Sequence, residues 1–160
     1  MARRSRLNGK LEPMFMGEFT HAIDDKGRLT IPAKFREELA YGAVITRGYD
    51  KALVLYSADY FKRLTARAES LTPTNPEHRA LLRLTFSGAS EAVPDKQGRI
   101  LVPPYLREYA GIETDCAIVG VGHAIEVWSK DGWAAQLQAL NDANLNAERF
   151  AGFNLAPGPA

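Results

Sequence analysis

The sequence predicts an α+β chain: a tandem of two β-rich modules, a helical connector between them, and a C-terminal helix with a tail. Three observations carry this. One segment occurs twice, about half a chain length apart. Apolar residues alternate with period two around each copy, the mark of half-buried strands. Between and after the copies the apolar period lengthens to that of amphipathic helices.

The repeat comes first, because missing one misreads a whole fold. The first copy reads Asp-Asp-Lys-Gly-Arg-Leu-Thr-Ile-Pro-Ala-Lys-Phe-Arg-Glu-Glu over 24–38. The second reads Asp-Lys-Gln-Gly-Arg-Ile-Leu-Val-Pro-Pro-Tyr-Leu-Arg-Glu-Tyr over 95–109. Setting Arg28 on Arg99 also aligns Asp24 with Asp95, Gly27 with Gly98, Pro32 with Pro103, Arg36 with Arg107 and Glu37 with Glu108. After a shift of one residue, 52–57 lies over 124–129. The divisions expected are a basic extension at 1–13, a first module at 18–60, a connector at 61–88, a second module at 89–132, and a helix and tail at 133–160.

Each module opens on a strand, in the first copy with Phe15, Gly17, Phe19, His21 and Ile23 on one face. A turn follows at Asp-Lys-Gly, where Gly27 and Gly98 are free to take a positive φ. In the next short strand Leu29 and Ile31 face inward and Arg28 and Thr30 outward; Ile100 and Val102 oppose Arg99 and Leu101 in the same way. Pro32 ends that strand and suits a first helical position, before a short helix through Phe35 and Leu39. Two strands close each unit, at 43–47 and 52–56 and again at 115–121 and 124–128. Ser57 caps a helix with the stripe Phe61, Leu64, Ala68 and Leu71. A second helix starts at Pro76 and runs through Leu81 and Leu82. Ser129 caps the last helix, which carries Trp133, Leu137 and Leu140. The Gly/Pro/Ala-rich end from Ala151 is expected to fray.

Composition narrows the class. A 46% hydrophobic content suits a chain that buries a core. No apolar run approaches the ~20 residues of a membrane helix, and no secretory signal follows the basic start. The single Cys116 permits no internal disulfide and reads as a core thiol. Net charge is only +1, but residues 1–51 hold ten Lys/Arg against seven Asp/Glu and the remainder ten against twelve. A nucleic-acid surface would therefore have to be gathered by folding or by assembly.

The Asp-x-x-Gly-Arg turn is the element that carries chemistry. Its aspartate accepts backbone hydrogen bonds across the turn, and its glycine permits the reversal. The arginine either grips that carboxylate and locks the turn, or projects toward phosphates and guanine edges. Spacing alone leaves both roles open.

Met14-Phe15-Met16-Gly17-Glu18 is followed by Asp24-x-Lys26-Gly27-Arg28-Leu29-x-Ile31-Pro32-x-x-Phe35-Arg36. Together with Asn75-Pro76-Glu77, Asp95-x-x-Gly98-Arg99 and Glu126-Val127-Trp128, this pattern resembles the MraZ family across about residues 14–140. The resemblance implies AbrB-like, swapped-hairpin β modules. It implies a ring-shaped homo-oligomer that binds direct repeats in double-stranded DNA upstream of the division and cell-wall gene cluster, its own promoter included. It places Arg28 and Arg99 on the DNA-contacting surface, with Lys26, Lys34 and Arg36 as further candidate contacts. The turns themselves are fixed by Asp24, Gly27, Asp95 and Gly98. Gln97 stands where the first copy has Lys26, which suggests a second turn poorer by one cation. The expected setting is the cytoplasm, at the nucleoid, with no cofactor, metal, membrane or small-molecule substrate.

Two other classes compete with this one. For an enzyme, His21, His78 and His123 are scattered, no phosphate loop or nucleophile elbow is present, and Gly120-Val-Gly122 lacks the third glycine of a dinucleotide fingerprint. A non-catalytic protein-interaction scaffold without direct DNA binding is the better alternative, because near-zero net charge suits it. RNA stacking is disfavoured, since Tyr56 and Trp128 read as packing residues.

Overall fold

Strand β3 (Phe15–Ala22) buries Phe15 and half-buries Phe19, while Met16, Glu18, Thr20 and Ala22 face solvent. The computed structural model describes residues 14–159, preceded by a pairing of two short strands, β1 (Arg6–Leu7) and β2 (Lys10–Leu11). The expected basic extension at 1–13 otherwise lies outside the described residues. The elements that follow in the first copy are β4 (Arg28–Thr30), α1 (Ala33–Leu39), β5 (Ala43–Arg47) and β6 (Leu53–Ser57). In the second copy they are β7 (Ser90–Glu91), β8 (Arg99–Leu101), α4 (Pro104–Ala110), β9 (Asp115–Gly122) and β10 (Ile125–Ser129). Between the copies run α2 (Ala58–Ala68) and α3 (Pro76–Ser87); after them come α5 (Lys130–Leu140) and α6 (Ala143–Arg149).

The copies do not pack side by side; they exchange strands. The six-stranded sheet runs β3-β9-β10-β6-β5-β7. The first strand of copy one therefore pairs along its whole length with β9 of copy two, from Phe15↔Gly122 to Ala22↔Asp115. The first strand of copy two, β7, is reduced to two residues and pairs with β5 of copy one. At the centre β10 meets β6. A separate ribbon joins β4 to β8, with Arg28 opposite Leu101, Leu29 opposite Ile100 and Thr30 opposite Arg99. The repeat offset maps Arg28 onto Arg99 and Thr30 onto Leu101, so the ribbon sits on an internal pseudo-twofold axis.

One core results. Phe15, Leu29, Ile31, Phe35, Leu39, Ile45, Leu53 and Leu55 from the first copy form a single buried cluster with Ile100, Val102, Leu106, Ile118, Ile125 and Val127 from the second. Phe35 meets Phe15 and Phe19 edge-on, with centroids 5.3 and 5.4 Å away. Cys116 is buried in this core, and desolvation, seconded by the neighbouring Asp115 charge, pushes its thiol up to about 11. Pro32 is displaced by one residue from the position expected of it. It is the N-cap, with ψ 135°, and its carbonyl accepts from the Phe35 amide at 2.9 Å, so helix α1 begins at Ala33.

Helices α2 and α5 are capped as the sequence predicts, and α3 is capped as well. Ser57 Oγ accepts from the Tyr60 amide at 3.2 Å, and Ser129 Oγ from the Gly132 amide at 3.0 Å. Asn75 Oδ1 accepts from the Glu77 amide at 2.9 Å, ahead of Pro76 in the first turn. Helix α3 is fastened to β5 by the buried Thr46 hydroxyl, which donates to the Thr85 carbonyl. No residue of α2 or α3 is fully buried. Their apolar stripes instead border a groove of about 560 Å³ whose lining includes Tyr56, Leu64, Leu82, Phe86 and Val121.

Candidate nucleic-acid interface

Directly opposite residues of an antiparallel pair share a face, and neighbours along a strand alternate. In the β4–β8 ribbon Leu29 and Ile100 are fully buried. Arg28, Thr30, Arg99 and Leu101 consequently form the outer face, and Leu101 is 57% exposed on it. The two arginines stand on the diagonal, where Cβ separations are about 7 Å.

Each arginine is held by the turn before it. Asp24 accepts from the Lys26 amide at 3.0 Å, the Arg28 amide at 2.8 Å and Arg28 Nε at 2.8 Å. Asp95 accepts from the Gln97 amide at 2.9 Å, the Arg99 amide at 2.9 Å and Arg99 Nε at 3.0 Å. Gly27 and Gly98 turn the chain with φ of 79° and 77°, and their amides donate to the Asp24 and Asp95 carbonyls. The backbone amides of Arg28 and Arg99 are the main reason both carboxyls sit below the ordinary aspartate value, and the guanidinium contacts add to the effect. The turn lock and the outward face are thus the same construction. A charge-assisted pair holds each arginine against the turn before it. The two differ in detail: Arg99 also brings Nη2 to within 3.0 Å of Asp95, whereas Arg28 is held through Nε.

The turns are tied to the opposite strands as well. The Ile31 amide donates to the Gly98 carbonyl and the Val102 amide to the Gly27 carbonyl, both at 2.8 Å. Arg36 reaches across to the second turn. A Cβ on Gly98 would fall 2.2 Å from its guanidinium carbon, and its Nε donates to the Ile31 carbonyl at 2.8 Å. Arg107 takes the equivalent place beside Gly27. Lys26 is exposed in the first turn. Lys34 is exposed too, but its ammonium lies 5.1 Å from the Phe19 ring and 5.6 Å from the Phe35 ring. Of the five candidate cations, the fold sets Arg28 and Arg99 on one face and leaves Lys26 exposed in the turn before Arg28. It folds Arg36 onto backbone and Lys34 onto aromatic rings.

Two further residues bear on this surface, Lys96 in the second turn and Leu101 on the ribbon. Lys96 occupies the position that Asp25 holds in the first copy. The second turn therefore has as many cations as the first and one acid fewer, which corrects the expectation drawn from Gln97 alone; the repeat alignment already contained that signal. Leu101 had been read as outward, but only the pairing with Arg28 puts it between the arginines. Among the described residues no cluster of three His, Cys, Asp or Glu could hold a metal ion, and no helix is long and apolar enough to cross a membrane. His78 Nδ1 accepts from the Thr72 amide at 2.8 Å, and His123 stacks on Tyr60 at 4.9 Å.

Two homologous halves that swap strands around one core, and that present an Asp-anchored arginine at each end of a shared ribbon, define a tandem swapped-hairpin protein. Both halves match the family model of the MraZ protein, at residues 14–84 and 85–154. The chain belongs to the MraZ family. It is 50% identical to the transcriptional regulator MraZ of Thermomicrobium roseum over 79% of this chain and 89% of that one. It is 46% identical to the protein of the same name from Herpetosiphon aurantiacus, over 89% of this chain and 100% of that one. The counterpart from Acetivibrio thermocellus is also 46% identical, over 86% and 94%.

Proposed function

We propose that this chain is a sequence-specific DNA-binding transcriptional regulator. In this reading it assembles as a ring-shaped homo-oligomer and binds direct repeats upstream of the division and cell-wall gene cluster, including its own promoter. The observation that carries the reading is the ribbon face, where two anchored arginines share one outer surface, each following a turn that holds an exposed lysine, Lys26 or Lys96. A two-stranded ribbon fits the major groove, and arginine is the side chain best suited to guanine edges and phosphates. The names of the relatives support a role in transcription. A single chain offers few cations, so its DNA contacts are weak and salt-sensitive. Linked copies engaging successive repeats raise avidity by ~10²–10⁴. The half-covered stripes of α2 and α3 favour such assembly, because another subunit can complete their burial.

The test is binding of the purified protein to the DNA upstream of its own gene, against a scrambled duplex, at two salt concentrations. Selective binding that weakens steeply with salt is expected. Arg28→Ala is expected to cost more affinity than any other single change, about tenfold or more, with assembly retained. Equal or absent binding to both duplexes by assembled protein would favour the second reading, an interaction scaffold that uses the α2–α3 groove. Apolar docking there would vary little with salt.

A further inference from the structure

We infer that Leu101 is a specificity-determining residue of the ribbon face, reading the C5-methyl of a thymine in the major groove. The inference rests on the DNA-binding reading and goes beyond it by assigning a base contact that the arginine motif does not contain. Leu101 is 57% exposed on a face otherwise made of Arg28, Thr30 and Arg99, with Arg28 directly opposite and Arg99 two residues before it. An apolar protein surface covering this leucine would also cover two guanidinium groups, and the N–H donors they do not give to Asp24 and Asp95 would be left without acceptors. A DNA groove satisfies all of them together. Phosphates and guanine acceptors take the arginines, and the thymine methyl is the apolar group that the groove displays.

The pseudo-twofold axis sharpens the argument. The residue equivalent to Leu101 is Thr30, which lies opposite Arg99. The two ends of the ribbon therefore offer the same cation beside different neighbours: a hydroxyl-bearing side chain at one end and a larger, wholly apolar one at the other. The inward-facing pair, Leu29 and Ile100, stays apolar in both copies and is fully buried in both. The chemical difference falls on the side that meets the ligand. The ribbon then has a direction on DNA, with the thymine near the end occupied by Arg28 and Leu101.

The test replaces each thymine in turn by deoxyuridine in the duplex from upstream of the gene, so that only methyl groups are removed. Wild-type binding is expected to weaken about fourfold at one position per bound ribbon, the effect of one methyl-sized contact. Leu101→Ala, a change at an exposed position, is expected to bind the uridine and thymine duplexes equally. Its salt slope should stay that of the wild type, because no cation has been removed. Selective binding that is indifferent to every thymine methyl, or methyl discrimination that survives in Leu101→Ala, overturns the inference and leaves the DNA reading standing. Failure to bind the upstream duplex at all overturns both.

Discussion

Asp24 and Asp95 do more than close their turns. Each collects two backbone amides and one arginine side chain on a single carboxylate. The pKa of each is lowered in the folded chain. A lowered folded value stabilises the protein fully above the ordinary aspartate value of 3.8. That stabilisation is lost as pH falls through the lowered one. Carboxyl NMR titration should place both midpoints below those of exposed aspartates, and Arg28→Ala should raise Asp24 only in part, since the amides remain. Gly98 makes the same turn testable through backbone strain. An alanine there must hold φ near 77° and push aside the Arg36 guanidinium. We expect Gly98→Ala to cost about 1–3 kcal/mol, read as a lower denaturant midpoint at unchanged slope. Gly27→Ala should cost less, because there a Cβ comes no closer than 3.3 Å to its neighbours. These residues were legible in the sequence as a turn. Their bridging to the opposite copy was not, because no local pattern records which strand a glycine carbonyl will meet.

Among the elements, strand positions were the easiest to read. Alternation at Leu29, Ile31, Ile100 and Val102 sorts inside from outside, and the structure buries all four completely. The caps Ser57 and Ser129 were visible for the same reason: a short polar side chain just ahead of an apolar stripe has few other uses. Helix α6 escaped notice. It is seven residues long and buries none, so it has no stripe to find, and its one signal was Asp142, which accepts from the Leu145 amide. Helices α2 and α3 show the opposite problem: their stripes are strong, yet the fold covers them only halfway. If a neighbouring subunit completes that burial, a charge in the groove should disrupt assembly. Leu64→Glu is expected to raise the dissociation constant of the assembly roughly tenfold to hundredfold, from about 1.5–3 kcal/mol of lost burial. Light scattering should then show smaller particles with an unchanged far-UV spectrum. An unchanged particle mass would place the assembly surface elsewhere.

For the whole molecule the repeat announced two modules, and the structure joins them into one body. Period-two alternation marks a strand but carries no address for its partner, so the pairing of β3 with β9 is invisible in the sequence. It makes the halves interdependent. Neither residues 14–84 nor residues 85–154 can complete the six-stranded sheet or the shared core alone. Each fragment, kept dilute enough to stay monomeric, is expected to be unfolded by circular dichroism, and an equimolar mixture to recover the native spectrum. Strand partners about a hundred residues apart also predict slow folding. The exchange has a last consequence, in evolutionary terms. A lone module of this kind would find its missing strands in an identical twin, and one gene would then dictate both ends of the ribbon alike. With two modules written into a single chain, a mutation can alter one end and spare the other. Asp25 against Lys96 and Thr30 against Leu101 are such differences, and they give the molecule a left and a right.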